Sequence, residues 1–314
     1  MDEGALGLPR PASQTRDIGG KKMAFTAVER PDQGEKAHGW ASAGLRDQVI
    51  RYRGYRMAGA RPARTTLPAG SVTLLLGWGT PLHMRHGPNN DEPPGQWPSL
   101  IAGLQTTPVL AGYPGPGHAI EVDFTPLGAY RCLGIPLHHL AETRVHPDHV
   151  MGTGWTERTT ARLSAAQNWS ERWAIVDSIL INRCIEHPPP SPLMVEAWNL
   201  LRARDGSMPV SELVTATGRG RRRIQALFRE HIGVPPQTLS RIFRFQHALA
   251  VPATEYRSMA ELATMTGYYD QAHMNRDFRS LSGYTPGQLF NFTVQAAARN
   301  NSDNDKYMRD FFAH

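Results

Sequence analysis

Arg222, Gln225, Ala226 and Arg229 fall at i, i+3, i+4 and i+7, so a helix running through them carries all four on one face. Ala272, Asn275, Arg276 and Arg279 repeat that spacing further along the chain. Arginine and glutamine have the donor geometry that reads guanine and adenine edges, and a guanidinium also pairs with phosphate. The chemistry these positions offer is therefore recognition of duplex DNA. Gln271 and His273 stand at the start of the second of these helices, where base contacts concentrate. Arg221, Arg229 and Arg279 are assigned to phosphate contacts, which position a protein on the duplex without reading sequence.

Such faces need elements to hold them. Each lies in the second half of a repeated stretch, Val210–His231 (VSELVTATGRGRRRIQALFREH) and Met259–Ser280 (MAELATMTGYYDQAHMNRDFRS). A short apolar-periodic helix leads to a glycine, Gly218 or Gly267, and then to a second helix. The opposite face of that second helix is apolar: Ile224, Leu227, Phe228 and His231 in the first unit, Met274, Phe278 and Leu281 in the second. This is the pattern of two helix-turn-helix units. Asp270 stands at the cap or in the first turn of its helix, and Ser258 with Glu261 forms a capping box for the helix before it. The first unit has Pro209 and Gly220 at the equivalent cap positions, a loss expected to cost ~1 kcal/mol. The run Arg221-Arg222-Arg223 offsets part of that for binding by adding phosphate attraction.

Around the two units, Ser191 with Pro192 reads as a capped helix start, with Leu193, Trp198, Leu200 and Leu201 on its core face. Gly233-Val234-Pro235-Pro236 breaks the chain before a longer helix, Gln237–Ala250, striped by Leu239, Ile242, Phe243 and Leu249. Gly283-Tyr284-Thr285-Pro286 makes a matching break after the second unit.

On these residues, Pro192–Phe292 resembles the DNA-binding domain of the arabinose-regulator (AraC/XylS) family of bacterial transcription regulators. The second unit carries the resemblance through A-x-x-x-G-Y, D-Q-x-H, R-x-F-R and G-x-T-P. The first carries it through E-L, Gly218, L-F-R and G-V-P-P, and departs from it at Pro209 and Gly220. The resemblance implies seven helices, with the two units joined by Gln237–Ala250. It implies base-reading positions at Arg222, Gln225 and Ala226, and at Gln271, Ala272, His273 and Arg276. Double-stranded DNA is the implied partner; RNA polymerase, a small-molecule effector in the N-terminal half and a second copy of the chain are the further candidates.

The N-terminal half reads as β-rich. His118–Phe124 alternates, with Ile120, Val122 and Phe124 on one side and Glu121 and Asp123 on the other. Ser71–Trp78, Arg51–Met57 and Tyr130–Ile135 are predicted as further strands of a sandwich or small barrel. Helices are predicted over Thr156–Ala166 and Ser170–Glu186, the second opened by Asn168 with Glu171, and the prolines of 187–192 close it. Trp169, Trp173 and Val176 suit either a dimerisation helix or packing onto the sheet. The stretch 118–152 resembles a sensor region found before such DNA-binding domains in actinobacterial-type regulators. That implies a cupin-like sensory or oligomerising module; Trp78, Ile120, Val122 and Phe124 suit either a ligand wall in the barrel interior or plain core packing, and core packing is the favoured reading of each.

The expected architecture is α+β: a β-rich, cupin-like N-terminal domain with two helices and an all-α C-terminal domain of seven. The expected segments are a disordered tail at 1–38, a sensor or oligomerisation domain at 39–187, a linker at 188–192, the DNA-binding domain at 193–292 and a tail at 293–314. Met23 is an alternative start. The chain has 314 residues with net charge +6, favouring a polyanionic partner. No apolar run approaches membrane-spanning length, and Cys132 and Cys184, read as two buried thiols, suit a reducing cytoplasm. The alternative is a metal-dependent cupin-type enzyme fused to a DNA-binding domain, prompted by His83, His86, His138, His139, His146 and His149. No Glu stands at a supporting spacing, so neither metal, cofactor nor enzymatic activity is expected.

Overall fold

The computed structural model describes residues 34–86 and 95–291, together with the backbone of three strands before them. The expected tail at 293–314 lies outside the described residues, as does most of 1–38. The strands are β1 (Thr15–Asp17), β2 (Lys22–Ala24), β3 (Thr26–Arg30), β4 (Gly34–Gly39), β5 (Val49–Met57), β6 (Arg61–Thr66), β7 (Val72–Gly79), β8 (Leu82–His86), β9 (Gly95–Trp97), β10 (Ser99–Ala102), β11 (Val109–Tyr113), β12 (Gly117–Phe124) and β13 (Arg144–Val145). One antiparallel sheet runs β13-β10-β7-β12-β5-β4-β3, a second runs β6-β11-β8-β9, and β1 pairs with β2. The first sheet begins earlier in the chain than expected. Gly34–Gly39 pairs along β5, Glu35 opposite Arg56 and Gly39 opposite Tyr52, so this part of the predicted tail is a strand.

β12 lies between β5 and β7, and its alternation sorts the two faces of the sheet. Ile120, Val122 and Phe124 are fully buried with Leu74, Leu76, Leu163, Trp173 and Val176, on the side covered by helices. Ala119 and Leu75 pack instead with Leu82, Met84, Trp97 and Tyr113 of the second sheet. Of the two readings of the four candidate wall positions, the structure shows core packing. Trp78, Ile120, Val122 and Phe124 all join the helix-side core, and it is Ala119, Glu121 and Leu75 that front the space between the sheets. Trp173 and Val176 pack onto the sheet as well, Trp173 stacked 5.5 Å from Tyr52 and 5.3 Å from Trp169.

The strand predicted at Tyr130–Ile135 is a helix, α1 (Pro126–Leu133). The start signal was local: Thr125 Oγ1 accepts from Gly128 N at 3.0 Å, Pro126 fills the first turn, and Gly134 ends the helix at φ 72°. Its β-prone Tyr-Arg-Cys-Leu stretch yields to that capping and to packing on the sheet. A short helix, α2 (Asp148–Met151), was likewise not predicted. α3 (Trp155–Ala165) and α4 (Trp169–Glu186) match the predicted helices within a residue, and Asn168 Oδ1 caps α4 by accepting from Glu171 N.

The C-terminal half is helical: α5 (Pro192–Arg202), α6 (Val210–Thr217), α7 (Arg221–His231), α8 (Pro236–Ala250), α9 (Met259–Met265), α10 (Gln271–Ser282) and a further helix described over 286–291. Ser191 caps α5 through Met194 N, as its sequence signal predicts. The core gathers Trp198, Leu213, Phe228, Ile242, Phe245, Leu262 and Phe278. Leu67, Leu104 and Leu127 of the N-terminal half join the same cluster, so one apolar core crosses between the halves.

Candidate nucleic-acid interface

Both units turn where only glycine is comfortable. Gly218 ends α6 at φ 61°, and Gly267 follows α9 at φ 78°, left-handed values that a β-carbon disfavours. Each turn delivers a second helix with its apolar side buried. In α7, Ile224, Leu227, Phe228 and His231 are buried; in α10, Met274, Phe278 and Leu281 are. The remaining face of α7 is open: Arg221, Arg222, Ala226 and Arg229 are exposed and Gln225 half-buried. Arg222, Gln225, Ala226 and Arg229 line one concavity of about 420 Å³ together with Pro235 at the start of α8. On α10, Gln271, Ala272, Arg276 and Arg279 are exposed, while His273 and Asn275 are half-buried.

His273 differs from its neighbours in what surrounds it. Its ring meets Tyr268 edge-on at 5.2 Å, and its Nε2 lies 3.7 Å from Asp277. Asp277 is buried and was not found by sequence reading, yet it ties α10 to α8: Arg241 Nε donates to Oδ1 at 2.8 Å, and Arg244 Nη2 lies 3.6 Å from Oδ2. Arg244 also donates to Gly206 O at 2.9 Å and stacks over Tyr268 at 5.3 Å, reaching back to the loop before α6. These residues fix the pitch of the second recognition helix from behind. The only sequence hint was Asp277 four residues after His273, because its arginines lie 36 and 33 positions away.

The two helices start differently. Asp270 Oδ1 accepts from His273 N at 2.6 Å, whereas Gly220 offers α7 no side-chain cap. Gly220 is itself an acceptable cap residue, worth only a few tenths of a kcal/mol less than Ser, so the deficit is smaller than the ~1 kcal/mol expected from composition. The expected consequence is local. Amide exchange at Arg222 and Arg223 in the free protein should be faster than at Ala272 and His273, and equal protection of the two first turns would contradict it.

The far end of α7 is held by the N-terminal half. The Tyr130 ring on α1 lies 4.1 Å from the His231 ring, and Tyr130 Oη donates to Glu230 Oε1 at 3.3 Å. Burial holds the His231 imidazole below its ordinary pKa, and its Nδ1 faces Leu227 O at 3.1 Å. Gly233, at φ 97°, passes so close to Leu137 that a β-carbon there would come within 2.8 Å of its carbonyl oxygen.

Comparison with known proteins bears on this geometry. A helix-turn-helix domain family matches residues 213–291, spanning both turns and both recognition helices. The F1 operon positive regulatory protein of Yersinia pestis is 33% identical over 76 residues, 24% of this chain and 25% of that protein. Residues 213–291 are an AraC-type helix-turn-helix domain. The chain spans about a quarter of the length of this relative, and the likeness is confined to that stretch. Among solved structures, the chain is similar to ToxT from Vibrio cholerae at 11% identity and a TM-score of 0.41, over 77% of this chain and 97% of that one. It is also similar to hydroxypropylphosphonic acid epoxidase from S. wedmorenis at 14% identity and a TM-score of 0.25, over 32% of this chain and 55% of that one.

The histidines that suggested a metal are dispersed. His86 Nε2 lies 2.7 Å from Arg144 Nη1, His138 and His139 meet edge-on, and His146 lies 3.9 Å from Asp148. Among the described residues, no group of three His, Cys, Asp or Glu side chains gathers as a metal ion requires, and no helix is long and apolar enough to cross a membrane.

Proposed function

We propose that this chain is a sequence-specific transcription regulator, working in the cytoplasm, that binds double-stranded DNA through both units of its AraC-type domain. The observation that carries the proposal is the pair of open polar faces on α7 and α10, each backed by a buried apolar face within the matched domain. In this reading α7 and α10 enter adjacent major-groove segments about 34 Å apart, one helical turn of DNA. Arg222, Gln225 and Ala226, with Gln271, Ala272, His273 and Arg276, face base edges, and Arg221, Arg229 and Arg279 contact phosphates. His273 reads DNA only from its exposed edge, since Tyr268 and Asp277 occupy its other sides.

Residues 39–187, together with the strand Gly34–Gly39 that pairs into their sheet, serve as the sensory or pairing module, joined through 188–192 to 193–292. A small-molecule effector would occupy the space between the two sheets, and a second copy of the chain and RNA polymerase are the protein partners this reading includes. Activation is the favoured direction, because the Yersinia pestis relative is described as a positive regulatory protein. The alternative of a metal-dependent enzyme lacks a donor cluster among the described residues.

Arg276→Ala and Arg221→Ala test the assignment together. Arg276→Ala should lose ~1–3 kcal/mol on the selected site and relax preference at one base position. Arg221→Ala should weaken binding to all sequences alike and flatten the salt dependence by about one unit of slope. Binding titrations on a selected site and on scrambled DNA, across a salt series, measure both. Unchanged base preference in Arg276→Ala, or a sequence-selective loss in Arg221→Ala, would remove that residue from its assigned role.

A further inference from the structure

The two cysteines, 52 residues apart in sequence, meet where the last turns of α1 and α4 come together. Cys132 Sγ and Cys184 Sγ are 2.9 Å apart. A disulfide has its sulfurs about 2.05 Å apart, so closure asks for less than a one-ångström approach. The two helix ends are braced against each other. Arg183 donates to Cys132 O at 3.0 Å and to Leu133 O at 2.7 Å, while Arg131 donates to Cys184 O at 3.2 Å. The thiols are buried, Cys132 fully and Cys184 at 7% exposure, so the approach belongs to the folded chain and not to a frayed end.

The pair is also electrically uneven. The hydrogen bond from Cys132, with Arg131 and Arg183 alongside, holds the Cys184 thiol below its ordinary pKa against the effect of burial. The same hydrogen bond and burial push the Cys132 thiol up. Cys184 is also the less covered of the two, 7% exposed against none for Cys132, so it is assigned as the attacking thiolate and Cys132 as the member that keeps its proton.

We propose that Cys132 and Cys184 are a redox-active dithiol that closes to a reversible intramolecular disulfide, with hydrogen peroxide as oxidant. The Cys184 thiolate attacks one peroxide oxygen; the O–O bond breaks, leaving a sulfenic acid on Cys184, and the departing oxygen leaves as water with the proton Cys184 released. Cys132 sulfur then attacks the sulfenic sulfur; the S–S bond forms, the S–O bond breaks, and the hydroxyl leaves as a second water with the Cys132 proton. Two thiols lose two electrons and two protons, and the peroxide is reduced to two waters. Cys132 lies two positions from Tyr130, the side chain that meets α7, so the dithiol stands beside the joint between the halves.

The test uses the full-length, native protein and does not depend on DNA binding. Hydrogen peroxide is added, then quenched, and the chain is denatured, alkylated and weighed. The expected result is a fall from two alkylatable thiols to none, an unalkylated mass lower by two hydrogens, a linked peptide joining 132 to 184, and full recovery with dithiothreitol. Two thiols that stay alkylatable after peroxide overturn the proposal, and so does a bridge between two chains in place of the internal one. Cys132→Ser should stop at a sulfenic acid on Cys184, trapped by dimedone, while Cys184→Ser should react several-fold more slowly. Equal dimedone labelling of the two variants overturns the assignment of Cys184 as the attacking thiol. The wild-type thiol count decides the disulfide even if either variant folds poorly.

Discussion

Phe278→Ala is expected to cost about 3–5 kcal/mol and to abolish DNA binding by the second unit. Phe278 is fully buried, and its ring stands edge-on to Phe245 of α8 at 4.8 Å and to Phe290 at 6.1 Å. It is the apolar peg that seats α10, while Asp277, its neighbour, is the polar one. Truncation leaves a cavity between α8, α10 and the helix after Pro286 that helices fixed by Arg241 and Arg244 cannot collapse to fill. The loss is a substantial part of a typical domain's stability. Phe278→Leu keeps an apolar anchor and should retain most of the affinity. Thermal unfolding with a DNA titration on both variants measures this, and a Phe278→Ala protein with unaltered melting would show that α10 is seated some other way.

Asp123→Ala is expected to be of similar size, about 3–5 kcal/mol, by a different mechanism. Arg51 Nε donates to Asp123 Oδ2 at 2.8 Å, Arg53 Nη2 to the same oxygen at 3.0 Å, and Thr73 Oγ1 to Oδ1 at 3.1 Å. Removing the carboxylate takes away an acceptor that two largely buried guanidiniums share, while Glu121 still pairs with Arg53. Burial alone would raise the Asp123 carboxyl, but the two guanidiniums and their hydrogen bonds outweigh it and hold the pKa below its ordinary value. That contribution is complete above the ordinary carboxylate range and is lost as pH falls through the depressed value. Glu121 behaves oppositely, because burial wins there and raises its pKa. The wild type should therefore lose more stability than Asp123→Ala as pH falls below the carboxylate range; parallel acid unfolding of the two proteins would remove Asp123 from this role.

The parts of the fold that sequence reading recovered are those whose signals are local. Ser191, Asn168, Ser258 and Asp270 each cap the helix they were expected to cap, and the apolar spacing of α7 and α10 named their buried faces. The alternation of Ile120, Val122 and Phe124 sorted two faces correctly, but which face meets helices and which meets a second sheet is decided by distant chain. The Thr125-Pro126 start of α1 is a local signal as well, but the β-prone Tyr-Arg-Cys-Leu stretch after it points to a strand. Gly34–Gly39 has too little apolar periodicity to read as a strand; it is held by pairing along β5. Asp277 with Arg241 and Arg244, and Cys132 with Cys184, are meetings across tens of residues, for which spacing along the chain holds no signal.

Leu67, Leu104 and Leu127 share one apolar core with Met194, Trp198 and Phe228, and this limits how such a protein can be rearranged by recombination. A graft that joins this helical half to an unrelated sensor at the proline-rich connector would inherit an apolar face shaped for its former neighbour and bare to water in the chimera. Exchange of whole halves between regulators therefore requires the three leucines, or side chains of matching shape, to travel with the domain they cover. The connector marks where the chain can be cut, but the inheritable unit is larger than the segment on either side of it.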